Sequence, residues 1–143
     1  MKILMGIDDS KFSEQVVRAV VTQLRTEHTE VRVLHVLQPI APAPPQMATG
    51  APELDDQKKP AHELVERIAN ERGSAGFKVD TVVEVGDIRE RIIDSAAEWS
   101  ADLIVVGSHG QRGIQCFLLG SVAEFVARHA KCSVEIVRTS VNS

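Results

Sequence analysis

Short apolar runs alternate with segments of helical period along the chain, and this alternation restricts the possible folds more than any other feature. Ile3-Leu4-Met5-Gly6-Ile7 is stopped by Asp8-Asp9-Ser10, as a strand buried on both faces is before it turns into a helix. Ser13 can cap the following segment, in which Val16, Val17, Val20, Val21 and Leu24 share one helical face. Val31 to Leu37 forms a second apolar run. Helical spacing returns with Ala61, Leu64, Val65, Ile68 and Ala69, stops at Gly73, and gives way to a strand from Val79 to Val85. Gly86-Asp87 opens a further helix with Ile88, Ile92, Ile93 and Ala96 inward. Leu103 to Val106 is a fourth strand ending at Gly107. A glycine-bearing loop, a helix carrying Val122, Ala123 and Val126, and a last strand from Val134 to Val137 complete the order βαβαβαβαβ.

Such an order predicts an α/β domain: a five-stranded parallel sheet with helices on both faces and right-handed crossovers. The first and fourth strands are nearly all apolar, whereas Val79-Asp80-Thr81-Val82 and Val134-Glu135-Ile136 interleave polar residues. The third and fifth strands therefore belong at the edges, which gives the order 3-2-1-4-5. In open α/β sheets a ligand lies beyond the carboxyl ends of the strands where the winding reverses. Here that point falls between strands one and four, so Asp8 and Gly107 converge on one crevice although they are far apart in the chain.

A length of 143 residues fits a single domain spanning residues 1–143. All six prolines lie between Pro39 and Pro60, so residues 39–60 read as a long loop within that domain, either a functional flap or a disordered insertion. The net charge of −4 and the scattered basic residues argue against duplex nucleic acid as a partner. Four Phe, one Trp and no Tyr leave few stacking platforms for single strands. The first apolar run is too short for a signal-peptide core or a membrane span. Cys116 and Cys132, the only cysteines, read as reduced thiols in a chain that can build its own core. These features lead us to expect a cytoplasmic protein with neither nucleic-acid nor membrane partners.

The segment most informative about chemistry is Gly107-Ser108-His109-Gly110-Gln111-Arg112-Gly113, which continues to Gly120-Ser121. Glycines allow backbone amides to approach a ligand with no Cβ in the way, and Gly120-Ser121 presents amides at a helix start. A phosphate group is the natural guest. No Gly is followed by Lys-Ser or Lys-Thr, so a Walker A loop is excluded, and the spacing of Gly107, Gly110 and Gly113 is not that of the dinucleotide G-x-G-x-x-G. The loop contains no lysine, so a triphosphate would be met by amides, Arg112 and a divalent cation. The competing reading is that each glycine only makes a tight turn.

Gly107, Gly110, Gly120 and Ser121 satisfy the pattern Gly, two residues, Gly, nine residues, Gly, Ser or Thr. In this the chain resembles the universal stress proteins. The resemblance extends to Ile3–Ser10 with its Asp-x-Ser, to Leu34-His35-Val36 and to the block from Gly86 through Gly110. It implies a Rossmann-like homodimer that binds ATP; the lysine-free loop calls for Mg or Mn beside the triphosphate, and the exposed fifth strand is the edge through which two copies would pair. Carried over position by position, the pattern makes Asp8 a partner of the adenine or ribose and Val36 a wall of the adenine slot. Val106 and Gly107 would touch base and sugar, while Ser108, His109, Gly110, Gly120 and Ser121 would surround the phosphates. Asp9 departs from the pattern by adding a negative charge beside the ligand. The role implied is that of a nucleotide-responsive stress or regulatory protein. No general base or activated nucleophile can be picked out, so any ATP hydrolysis is expected to be slow.

Two readings from other classes stand beside this one. In a phosphoacceptor receiver domain, Asp8-Asp9 would hold magnesium and Asp87, after strand three, would accept a phosphoryl group. Against it, Lys131 precedes strand five instead of ending it, only six residues follow Val137, and the glycine loop is left unexplained. A dimeric interaction protein of the same fold that binds no nucleotide is the second. Individual residues also have plain roles. Asp8 and Asp9 can be helix-capping carboxylates and His109 can simply fill its loop. His28, His35, His62 and His129 lack zinc spacing, and Trp99 and Cys132 read as packing residues.

Overall fold

The computed structural model describes residues 1–7, 13–23, 29–37, 63, 67, 78–108 and 120–139. Its elements run β1 (Lys2–Ile7), α1 (Ser13–Gln23), β2 (Glu30–Leu37), β3 (Lys78–Val85), α2 (Ile88–Trp99), β4 (Leu103–Gly107), α3 (Ser121–His129) and β5 (Ser133–Val137). The five strands form one sheet in the order β3-β2-β1-β4-β5, with every neighbouring pair parallel. Fold class and strand order are those expected from the apolar pattern. The expectations for Asp8, Asp9, Leu24, the proline-rich stretch 39–60 and the loop 109–119 lie outside the described residues. Of the helical segment expected from Ala61 to Gly73, only Glu63 and Arg67 are described, and both are helical.

Period-two alternation assigns the central strands to two cores. On one face Ile3, Met5, Val31, Val33 and Val105 pack against Val16, Val17, Val20 and Val21 of α1. On the other, Leu4, Leu34, Val36, Ile104 and Val106 meet Ile92 and Ala96 of α2 and Ala123 and Val126 of α3. With helices on both faces, β1 after Lys2 has no side chain to spare for water, which is why Ile3–Ile7 is a continuous apolar run. The edge strands β3 and β5 are only partly buried along most of their length.

Gly6 is the one apolar-run residue without a side chain, and the packing shows why. A Cβ there would stand 2.9 Å from Ile92 Cδ1 and 3.4 Å from Val106 Cγ1. The missing side chain lets α2 press Ile92, which is fully buried, onto β1.

Helix α2 begins at the N-cap Asp87, whose carboxylate accepts from the Arg89 N–H at 2.9 Å. It ends where Ser100 adopts the left-handed conformation (φ 59°) and donates its N–H back to Ala96 and Ala97. At that end, Trp99 lies under the Arg32 guanidinium, 4.6 Å from the ring centroid, and the Lys2 ammonium stands 5.5 Å away. Arg32 also pairs with Asp80 at 2.8 Å. Trp99 is thus a packing residue, and its cluster closes the amino-terminal end of the sheet, opposite the crevice. Among the described residues no helix is long and apolar enough to cross a membrane.

Candidate functional site

The hydrogen-bond registers show where the sheet opens. Strand β1 stays paired with β2 as far as Ile7 opposite His35, and β4 stays paired with β5 as far as Gly107 opposite Val137. Between β1 and β4, however, the ladder stops at Met5 opposite Val105. Extending that register by two residues would set Ile7 level with Gly107. The two halves of the sheet therefore part over their last residues at the winding reversal, where the topology places a ligand.

Helix α3 rises beside this opening. Its N-cap is Gly120, a buried residue in extended conformation (φ −64°, ψ 158°) that makes no side-chain cap bond. The first intrahelical bond runs from the Glu124 N–H to the Gly120 carbonyl at 3.1 Å. The N–H groups of Ser121, Val122 and Ala123 precede it. A Ser or Asp at the N-cap would cover part of this set with its own oxygen; glycine has none to offer. The positive end of the helix dipole, equivalent to about half a charge, points the same way. Glu124, an acid in this first turn, has its carboxylate turned to Arg128 at 2.8 Å, one turn further on.

Gly120 is held in place by Ser108. The Gly120 N–H donates to the Ser108 carbonyl at 2.7 Å, and the Ser108 N–H donates to the Val137 carbonyl at 2.7 Å. The Ser108 hydroxyl accepts from the Thr139 N–H at 2.9 Å and lies 3.1 Å from Thr139 Oγ1. Ser108 and Thr139 are 5% and 6% exposed, so these bonds form out of water.

Of the residues expected at the site, the structure gathers six at the carboxyl end of the sheet. Gly107 ends β4 beside the gap, with Ser108 directly after it and Gly120 and Ser121 at the start of α3. Val36 and Val106 are buried on the face covered by α2 and α3, one at the carboxyl half of β2 and the other at that of β4. The remaining three, Asp8, His109 and Gly110, lie outside the described residues. Two contributions escaped the sequence reading. The Val122 and Ala123 amides are legible only once the helix start is known to lack a capping side chain. Thr139 carries no signal beyond being a hydroxyl residue after the last strand.

Asp87, the expected phosphoacceptor of the receiver reading, is already engaged. Besides capping α2 it forms two further bonds with the Arg89 side chain, at 3.3 Å to Nε and 3.1 Å to Nη2. The Arg89 guanidinium and the cap bond hold its carboxyl below the usual range. Lys131 lies ahead of β5, at the end of the sheet away from the crevice. Cys132, half-buried there, has its thiol pushed up by burial, which removes thiolate character. No group of three or more His, Cys, Asp or Glu able to hold a metal occurs among the described residues.

Comparison with known proteins agrees with this architecture. The family model described as "Universal stress protein family" matches residues 1–138. Universal stress protein YxiE of Bacillus subtilis is 30% identical over 96% of this chain and 98% of its own. The solved structure of MJ0577, a universal stress protein of Methanocaldococcus jannaschii, superposes with a TM-score of 0.70 at 28% identity, covering 97% of this chain and 96% of that one. The universal stress protein of Archaeoglobus fulgidus, solved in complex with dAMP, has the same fold: its TM-score is 0.65 at 21% identity, with 96% and 97% of the two chains covered. A family match that runs through β1 to β5 and takes in both sides of the crevice establishes that the chain belongs to the universal stress protein family.

Proposed function

We propose that this protein binds an adenine nucleotide, ATP with Mg or Mn, in the crevice where β1 and β4 part, and acts as a nucleotide-responsive stress or regulatory protein. The observation that carries the reading is the glycine N-cap of α3: Gly120 makes no side-chain cap bond, and among the described residues no side chain caps the first-turn amides of Ser121, Val122 and Ala123. Phosphate oxygens match that donor set in charge and geometry. The dAMP held by the Archaeoglobus fulgidus protein is consistent with the adenylate class.

In this reading Gly107, Gly110, Gly120 and Ser121 surround the phosphates with Ser108 and His109, while Asp8, Val36 and Val106 bound the base and sugar. The cation is carried chiefly by the phosphates themselves, as Mg²⁺ usually is in nucleotide sites. Each amide bond to a charged oxygen contributes about 1.5 to 3 kcal/mol. Three or four of them reach micromolar affinity, about −8 kcal/mol, after the costs of association. With no base held by a second group, turnover is slow at most. The protein works in the cytoplasm as a homodimer, its partly buried edge strand β5 pairing with that of a second copy.

Titration calorimetry with Mg-ATP tests the reading. The wild type is expected to bind, and Gly110→Val to lose at least tenfold in affinity. Gly120→Asp is expected to lose as much, because its carboxylate caps the same amides and repels the phosphates. No heat from the wild type with ATP, ADP or AMP would leave a dimeric interaction protein as the surviving reading.

A further inference from the structure

We infer that Arg89 selects nucleotides with more than one phosphate: its guanidinium, presented from α2 beside the first turn of α3, meets the terminal phosphate and holds it through charge. The inference rests on the nucleotide reading above and deepens it by naming the residue that distinguishes ATP from AMP.

Arg89 stands in the first turn of α2, and the order of the sheet brings that turn to the carboxyl end of the strands, where α3 also starts. Its guanidinium lies over the Phe125 ring, 5.6 Å from the centroid, so the side chain reaches from one helix to the other. Phe125 follows Ser121 by about one helical turn, and helical side chains lean back over the turn before their own Cα. The cation is therefore held about one turn from the Ser121, Val122 and Ala123 amides, on the side of α3 that faces α2. Stacking of Phe125 on His129, with ring centroids 4.2 Å apart, steadies the platform beneath it.

The guanidinium fork is half used. Nε and Nη2 bind the Asp87 carboxylate at 3.3 and 3.1 Å, and among the described residues no acceptor meets Nη1. Glu124, the acid in the first turn of α3, pairs with Arg128 instead. Arg91, two residues further along α2, is turned back over Gly86, where a Cβ would stand 2.9 Å from its Nε. With 44% of its side chain exposed, Arg89 is open to an incoming oxyanion. The amides at a helix start suit the first phosphate of a nucleotide. A planar fork on a long side chain suits one that lies further out. A monophosphate ends at the amides and gains little from Arg89.

Titration calorimetry with Mg-ATP and with AMP provides the test. Arg89→Gln is expected to raise Kd about tenfold for Mg-ATP, the loss of one charge-assisted contact, and less than about twofold for AMP. Arg91→Gln removes the same charge from the same helix and should alter either Kd by less than about twofold, because a charge that makes no contact is screened by salt. Asp87→Asn keeps an N-cap oxygen but releases the guanidinium, and is expected to tighten Mg-ATP about threefold with AMP unchanged. A merely structural role for the ion pair would weaken ATP binding there instead. If Arg89→Gln fails to fold, Arg89→Lys takes its place; it keeps the charge, loses the fork, and should weaken Mg-ATP about threefold and AMP not at all. Equal losses for ATP and AMP, no loss of ATP affinity, a loss in Arg91→Gln as large as in Arg89→Gln, or weaker ATP binding by Asp87→Asn overturns the assignment while leaving nucleotide binding intact. Absence of binding of either nucleotide by the wild type overturns both.

Discussion

Replacing Gly6 by alanine should destabilise the protein even though it adds one methyl to an apolar strand. The new Cβ would lie 2.9 Å from Ile92 Cδ1, well inside the ~3.5 to 4.0 Å at which carbon atoms attract one another. Ile92 is 0% exposed and belongs to the buried face under α2, so its terminal methyl can move only among other buried side chains. Relief comes either from an off-rotamer χ angle, at about 0.5 to 1.5 kcal/mol, or from displacing α2. Overpacking of this kind typically costs about 1 to 3 kcal/mol. Against it stands about 0.4 to 1 kcal/mol gained because alanine restricts the unfolded chain more than glycine does. The expected net loss is about 1 to 2 kcal/mol, or about 3 to 6 °C in Tm for a chain of this size.

Urea unfolding followed by circular dichroism, at one fixed protein concentration so that any association contributes equally, measures the effect. Ile92→Val supplies the control, because it deletes the offending Cδ1. Alone it should cost about 0.5 to 1.5 kcal/mol. Combined with Gly6→Ala it should cost almost nothing more, giving a coupling of about 1 kcal/mol. A neutral Gly6→Ala, or effects that simply add within about 0.5 kcal/mol, would refute the claim that close approach of α2 is why glycine stands in β1.

Two further outcomes are expected. Asp87→Ala should lose about 1 kcal/mol by uncapping α2. The Arg89 side chain lowers the Asp87 pKa in the folded state, so this contribution is complete above the ordinary Asp value of about 3.9 and disappears as pH falls below it. The stability gap between wild type and Asp87→Ala should therefore narrow in acid, and a gap that widens there would contradict the assignment. Trp99, the single tryptophan, lies at the end of the sheet away from the crevice. Arg32→Ala should shift its emission by removing the stacked guanidinium, whereas saturating Mg-ATP should leave the emission maximum of the wild type in place. A nucleotide-induced shift as large as that of Arg32→Ala would put the ligand at the wrong end of the molecule.

Local pattern alone specified the architecture. The unbroken apolar runs at Ile3–Ile7 and Leu103–Val106 declare strands covered on both faces, and the polar residues within Val79–Val85 and Val134–Val137 declare edges. Because burial on one face or two leaves its mark in neighbouring residues, strand order could be deduced before any contact was known, and with it the location of the crevice. The glycine spacing also marked Gly120-Ser121 as a helix start, and α3 begins at Ser121. The three-dimensional packing decided what no nearby residue encodes. It parted β1 from β4 after Met5 and Val105, pressed Ile92 onto Gly6, made Gly120 a cap without a capping side chain, and joined the Ser108 hydroxyl to Thr139 across 31 residues. The difference is physical: hydrophobic periodicity reports the average environment of a segment, whereas a directional bond or a sub-van der Waals approach depends on which distant atoms the finished sheet brings within about 3 Å.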